Sequence, residues 1–165
     1  PMTDTKVKIF DFILQSPLLP VIGIISSLIG IVAYFLPWTS NGYEYTAMDF
    51  LTGNSGELTG IQAYLPTVLL AFMVIILVLS VLGVTDKRRA LGFYGMIIFG
   101  FVGLALVVLF GNWVPVDDYK ILVNGGLGFY LEMLACIIYI FAGIVGYSVR
   151  PLPPPPAKKT NQARK

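Results

Sequence analysis

The sequence predicts an all-α membrane protein: a four-transmembrane-helix bundle with a small extracellular cap built from its first outer loop. Hydrophobic residues make up 56% of the 165 positions and charged residues only 12%, about half the charged share of a soluble domain. Mean hydropathy is +0.81. Four apolar runs each approach the roughly 20 residues that a helix needs to cross a hydrocarbon core about 30 Å thick. They are apolar on every face, unlike the alternating strands of about 10 residues in a membrane barrel. Lipid offers no partner to open backbone groups, so helices are the expected form.

Residues 1–17 read as a cytoplasmic amphipathic segment. Val7, Ile9, Phe10, Phe12, Ile13 and Leu14 alternate at helical spacing with Lys8, Asp11 and Gln15. Such a segment lies at the inner interface or extends the first span inward; both readings stand. Pro1, ahead of Met2, is set aside as a tag remnant or a truncated start.

The transmembrane domain covers residues 18–149. Its first span, about 21–38, contains Ser26, Ser27 and Tyr34 as its polar groups. Pro17 and Pro20 precede it and Pro37 closes it. The run exceeds the 7–15 residues of a signal-peptide core, and Phe35-Leu36-Pro37-Trp38 is no cleavage site, so no removal is expected. The first outer loop follows, with Tyr43, Tyr45 and Phe50 among Gly, Ser, Thr and Asn. Tyr43-Glu44-Tyr45-Thr46 alternates like a strand, and Asn54-Ser55-Gly56 is a turn signal. A small ordered cap with a short hairpin is expected.

The second span, about 64–84, has Pro66 in its first turn, where a missing N–H is harmless. Only six residues, Thr85 to Ala90, separate it from the third span, about 91–111. So short a connection makes spans two and three an antiparallel hairpin. Gly125, Gly126 and Gly128 loosen the chain ahead of the fourth span, about 127–149. Residues 150–165 form a cytoplasmic, proline-rich basic tail. Pro151 to Pro156 favours a stiff polyproline stalk, either a ligand for a proline-binding module or a spacer holding lysines and arginines near anionic headgroups.

Basic residues set the orientation. Ten of the eleven lie in the N-terminal segment, the connection between spans two and three, and the tail. Lys120 is the exception. Lys87, Arg88 and Arg89 are therefore topogenic, both termini are cytoplasmic, and the expected location is the plasma membrane. The outer loops carry Glu44, Asp49, Glu57, Asp117 and Asp118, an acidic face. Trp38, Tyr64, Trp113 and Tyr119 fit an outer interfacial belt.

A short repeat is visible. Gly60-Ile61-Gln62-Ala63-Tyr64-Leu65 before span two matches Gly126-Leu127-Gly128-Phe129-Tyr130-Leu131 before span four, and Phe35-Leu36-Pro37-Trp38 loosely echoes Phe110-Gly111-Asn112-Trp113. A duplicated helical hairpin or chance within an apolar composition both account for it.

With its Leu-Pro-Trp after span one, its Gly-, Ser- and Thr-rich outer loop, its Lys-Arg-Arg hairpin and its Gly-x-Gly-Phe-Tyr-Leu start of span four, the chain resembles small four-span prokaryotic membrane proteins of uncharacterised families. Its layout also resembles claudin-like tetraspan proteins. It lacks the paired outer-loop cysteines and the Gly-Leu-Trp signature of claudins. Its second outer loop, residues 112–126, lacks the cysteine-rich bulk of tetraspanins. The resemblance implies architecture and transfers no functional residue.

Chemistry is thinly represented. There is no histidine and one cysteine, which excludes Ser-His and Cys-His pairs, imidazole ligands and an internal disulfide. No cofactor, metal site, nucleic-acid partner or enzymatic activity is expected. Glu132, inside span four, is the candidate ion or proton site, because an ionisable group in a span is a functional hypothesis by default. Gln62, Asn112 and Tyr130 are possible neutral partners. The alternative is that Glu132 caps the first turn of its helix and reaches outer water. Cys136, one turn further in, reads as a small hydrophobe.

Small residues mark close helix contacts: Gly23, Ser27 and Gly30 in span one, Ala142 and Gly146 in span four. Gly92, Gly95, Gly100 and Gly103 form a longer seam in span three. Bundle packing is expected for spans one and four, and the span-three seam is the candidate partner surface. The leading expectation is a non-enzymatic scaffold, accessory or self-associating subunit in the lipid bilayer, meeting itself or another membrane protein through small-residue faces and the acidic outer loop. The alternative is a small oligomeric channel or transporter using Glu132.

Overall fold

A computed structural model of the chain describes residues 18–40, 44–54, 60–84, 89–113, 115–116 and 119–148. The amphipathic segment, Lys87, Arg88, the Asn54-Ser55-Gly56 turn beyond Asn54, Glu57, Asp117, Asp118 and the basic tail lie outside these residues.

The described chain is helical almost throughout. In order it forms α1 (Leu18–Tyr34), α2 (Ala47–Thr52), α3 (Ile61–Gly83), α4 (Arg89–Trp113), β1 (Pro115–Val116), β2 (Tyr119–Lys120), α5 (Ile121–Asn124) and α6 (Leu127–Ser148). Helices α3 and α6, and α4 from Leu91 onward, are long and apolar enough to cross a membrane. Helix α1 is apolar but shorter, with 17 residues, or about 25 Å at 1.5 Å per residue. The four pack in a ring, α1 against α3 and α6, α4 against α3 and α6, with little contact across the α1–α4 diagonal.

Helix boundaries depart from the expected spans for local reasons. Helix α1 stops at Tyr34, not Trp38. Pro37 has no N–H and excludes Leu36 from helical backbone, and the end tightens through bonds from Phe35 to Val32 and from Leu36 to Ala33. Helix α3 starts at Ile61, three residues early, after Gly60 in the left-handed region at φ 70°. Pro66 is consequently an interior residue in the second turn, where it removes the donor that the Gln62 carbonyl would meet. The two glycines of the repeat, Gly60 and Gly126, each stand immediately before a long helix. The second pair of the repeat differs, since Trp38 follows its helix while Trp113 ends one.

The loop between α1 and α3, expected to form a cap with a short hairpin, holds a helix beside an isolated antiparallel bridge of Pro37 with Thr46. Thr46 and Asp49 form a capping box: the Thr46 hydroxyl accepts from the Asp49 N–H at 3.2 Å, and Asp49 accepts from the Thr46 N–H at 2.8 Å. Two orphan donors are satisfied reciprocally. Gly53 closes α2 at φ 77°. A two-stranded hairpin forms in the loop between α4 and α6, where Val116 pairs with Tyr119 and Pro115 with Lys120.

Trp38 ties these pieces to the bundle. Its N–H donates to Tyr45, its carbonyl accepts from Gly126 at 2.9 Å, and its indole donates to the Ala33 carbonyl at 2.9 Å. Its ring meets Phe110 and Phe129 edge-on, and Phe110 meets Phe50 of α2 in the same way. All four rings are buried. Gly126 and Gly128 lie directly on the carbonyls of residues 33–39, where a Cβ would overlap backbone oxygen.

Candidate functional site

Helix α6 buries Phe129, Glu132, Ala135, Cys136, Tyr139, Ala142, Gly143 and Gly146, a stripe at three- and four-residue spacing. The stripe carries Glu132 into the bundle. It lies five residues past Leu127, about 7.5 Å along the axis, and is only 2% exposed. This overturns the reading in which Glu132 caps its helix and reaches outer water. Asn112 and Tyr130 do not meet it: Asn112 bonds the Val108 carbonyl, and the Tyr130 hydroxyl bonds the carbonyls of Leu122 and Val123.

The carboxyl rests against α1 at Gly30. A Cβ on Gly30 would stand 3.3 Å from Glu132 Oε2 and 2.6 Å from the Met73 sulfur of α3. The same sulfur accepts from the Tyr139 hydroxyl at 3.1 Å, so Tyr139 spans the α6–α3 diagonal. Ser27 of α1 donates to the Gly23 carbonyl at 2.8 Å, and Gly23 faces the Ser80 hydroxyl of α3. Cys136 is fully buried against Gly103 of α4.

Among the described residues, two buried side-chain polar atoms make no hydrogen bond: Glu132 Oε1 and Ser80 Oγ. Unpaired buried polar groups are uncommon and costly. Lys120, the basic residue with a described side chain, is exposed in the loop between α4 and α6, so no cation faces the carboxyl from the described chain.

The glycine seam of α4, the expected partner surface, packs within the bundle. Gly92 packs on the Leu79 carbonyl and Gly83 of α3, and Gly95 on the Leu79 side chain. Gly100 and Gly103 pack on Tyr139, Ile140 and Cys136 of α6. All four are buried, because α4 must approach both neighbours and uses one pair for each. Gly23, Ser27, Gly30, Ala142 and Gly146 are likewise buried.

Trp38 does not belong to an interfacial belt, being 0% exposed at the centre of the aromatic cluster. Tyr64 and Trp113 are exposed, as a belt requires. Tyr119 contributes backbone to β2, and its side chain lies outside the described set, as does that of Arg89 at the start of α4.

Sequence reasoning missed Met73, Tyr139 and Ser80. Tyr139 is seven residues from Glu132 and so on the same helix face, a usable signal. Ser80 is the lone hydroxyl between Val68 and Val84. No protein-family model, curated protein or solved structure matches this chain.

Proposed function

We propose that the protein is a four-span integral membrane protein of the plasma membrane, with both termini cytoplasmic, that catalyses no reaction and works as a small channel or transporter with Glu132 as its proton site. One observation carries this reading: a carboxyl on an apolar bundle helix is buried, has an unpartnered oxygen and faces the interior beside Gly30. Intramembrane acids that face a bundle interior mark ion and proton pathways. A proton suits the surroundings better than a metal cation. Hard cations take six or more oxygens, whereas the groups around Glu132 are a thioether, a thiol and a phenol.

The small-residue faces on which the scaffold reading drew pack within the bundle. Of the acidic outer residues described, Asp49 is engaged by Thr46, leaving Glu44 exposed. The resemblance to four-span prokaryotic proteins supports the architecture alone.

The deciding experiment is proton flux in proteoliposomes carrying an internal pH dye. Wild-type protein dissipates an imposed gradient, and Glu132→Gln abolishes the flux while retaining its fold. Equal flux from the two proteins rejects the proposal.

A further inference from the structure

We infer that α1 is the gate to Glu132: it pivots on its Trp38 end, and ionisation of the carboxyl swings its Leu18 end away from α3 and α6. In the proposed orientation the opened seam faces the cytoplasm. This rests on Glu132 as the proton site and supplies the water access that the closed bundle, with the carboxyl 2% exposed, denies it.

The Trp38 end is pinned. The Pro37 and Trp38 carbonyls accept from the N–H groups of Gly128 and Gly126, at 2.8 and 2.9 Å. The Tyr34 hydroxyl bonds Thr67 of α3 at 3.1 Å, and Thr39 bridges to Gly125. Gly128 rests directly on the carbonyls of Ala33 and Leu36. The buried rings of Phe110 and Phe129 close on Trp38 edge-on. Separation at this end breaks several of these bonds at once.

Toward Leu18 the joints differ in kind. Helix α4 meets both of its neighbours at backbone level: Gly92 sits on the Leu79 carbonyl of α3, and Gly143 of α6 sits on the Phe93 carbonyl. Helices α3, α4 and α6 therefore move as one body. Helix α1 instead meets the ends of side chains. Gly23 faces the Ser80 hydroxyl and the Met96 methyl, and Gly30 faces the Met73 thioether and the Glu132 carboxyl. Methionine ends repack readily. At Pro20 the fit is looser still, since a Cβ on Gly83 of α3 would meet it at 3.8 Å.

The two buried polar atoms without a hydrogen bond, Glu132 Oε1 and Ser80 Oγ, belong to side chains that border this one face of α1. Gly30 and Gly23 are two turns apart, about 10.5 Å along the axis. A seam that widens from Gly30 toward Gly23 admits water to both atoms. An ionised carboxyl buried without a partner is costly, so loss of the proton favours the opened seam. The O–H bond breaks, its electron pair stays on the carboxylate, and the proton leaves on water from the compartment at the Leu18 end. The titratable groups beside Glu132 on the buried stripe of α6 are Cys136 and Tyr139. Helix α1 faces this region with Gly30, α3 with Met73 and α4 with Gly103, so among the described residues water is the carboxylate's available partner.

The test measures distances between nitroxide pairs on the full chain in proteoliposomes. Three pairs use exposed positions: Val21 with Leu91 across the Leu18 end, Val32 with Leu109 across the pinned end, and Val81 with Ile144 between α3 and α6. As pH rises, the Val21–Leu91 pair is expected to gain a longer population while the other two pairs stay fixed. Glu132→Gln keeps the first pair short at every pH. Lengthening of Val32–Leu109 or of Val81–Ile144 overturns the pivot. A first pair that never lengthens, or that lengthens equally in Glu132→Gln, overturns the gate. Proton flux in the same samples reports separately on the acid: flux that needs Glu132 without any change of distance removes the role of α1 and leaves Glu132 as the proton site.

Discussion

Gly30 of α1 and Glu132 of α6 occupy one space: a Cβ at position 30 would stand 3.3 Å from the carboxylate oxygen and closer still to Met73. The carboxyl is therefore seated by the absence of a side chain opposite it. Gly30→Ala displaces Met73 first, since a thioether is flexible, and Gly30→Val displaces the carboxyl as well. The expected outcome is graded loss of proton flux, Val below Ala below wild type. Equal flux in all three would show that the cradle does not hold the acid.

Glu132→Gln keeps the shape of the side chain and removes its ability to ionise. Ionising a buried carboxyl without a partner is costly, so the amide variant melts in detergent at or above the wild-type temperature. Glu132→Lys places an unpaired ammonium at the same point and gives little folded protein. Size-exclusion profiles and thermal melts distinguish these outcomes.

Trp38 joins α1, the cap and the start of α6. Trp38→Ala destabilises by about 3–5 kcal/mol, the range for a large aromatic deleted from a core. Trp38→Phe preserves much of the ring contact but removes the indole hydrogen bond to the Ala33 carbonyl, which keeps the Leu36 N–H, for about 1 kcal/mol. A Trp38 variant as stable as wild type in chemical unfolding contradicts the core placement and returns the residue to an interfacial belt.

Gly95 and Gly100 report on where the α4 seam points. Gly95→Ile meets Leu79 and Gly100→Ile meets Ile140 within the same chain, so each lowers thermal stability. Overpacking of this kind costs about 1–3 kcal/mol. The mass in sedimentation should not change. A shift in oligomeric state with an unaltered melt would place the seam at a subunit contact.

The cap around α2 carries its own acid sensitivity. The Thr46 backbone N–H, followed by the Thr46 hydroxyl, holds the Asp49 carboxyl below the ordinary carboxylate range. A depressed folded value means that the contribution is complete above the usual carboxylate pKa and is lost as pH falls through the lower, folded one. Asp49 is close to solvent, which screens the effect and keeps it small. Emission from Trp38 in a Trp113→Phe background should change at that acidic step, and Asp49→Asn should remove the step. Thr46→Ala weakens the cap by about 1 kcal/mol.

Much of the architecture was legible because hydrophobic length is a one-dimensional signal. The three long apolar helices follow from Tyr64–Val84, Leu91–Gly111 and Leu127–Val149 with shifts of one to three residues at most ends. Their limits were less legible where backbone chemistry competes. Pro37 ended α1 early, and Gly60 opened α3 early enough to place Pro66 inside it. Helix α2 had a readable signal in Thr46-x-x-Asp49, which the strand-like alternation of Tyr43 to Thr46 obscured. Facing was the hardest part. All-round apolar helices have no strong moment, so nothing in the sequence said that Gly100 turns toward Tyr139, that Trp38 points inward, or that Glu132 leaves the outer water. Those facts depend on which helices are neighbours.

The cradle at Gly30 and the acid at Glu132 belong to the first and last bundle helices, which touch each other in the ring. Ribosomal synthesis makes them 102 residues apart. Until α6 emerges, Gly30 on α1 has no carboxyl to seat, and the Trp38 carbonyl lacks its Gly126 donor. Arrival of the final helix is therefore the committing event of biogenesis. A nascent chain halted before residue 127 should remain with the insertion machinery, and its release into free lipid should await those last 22 helical residues.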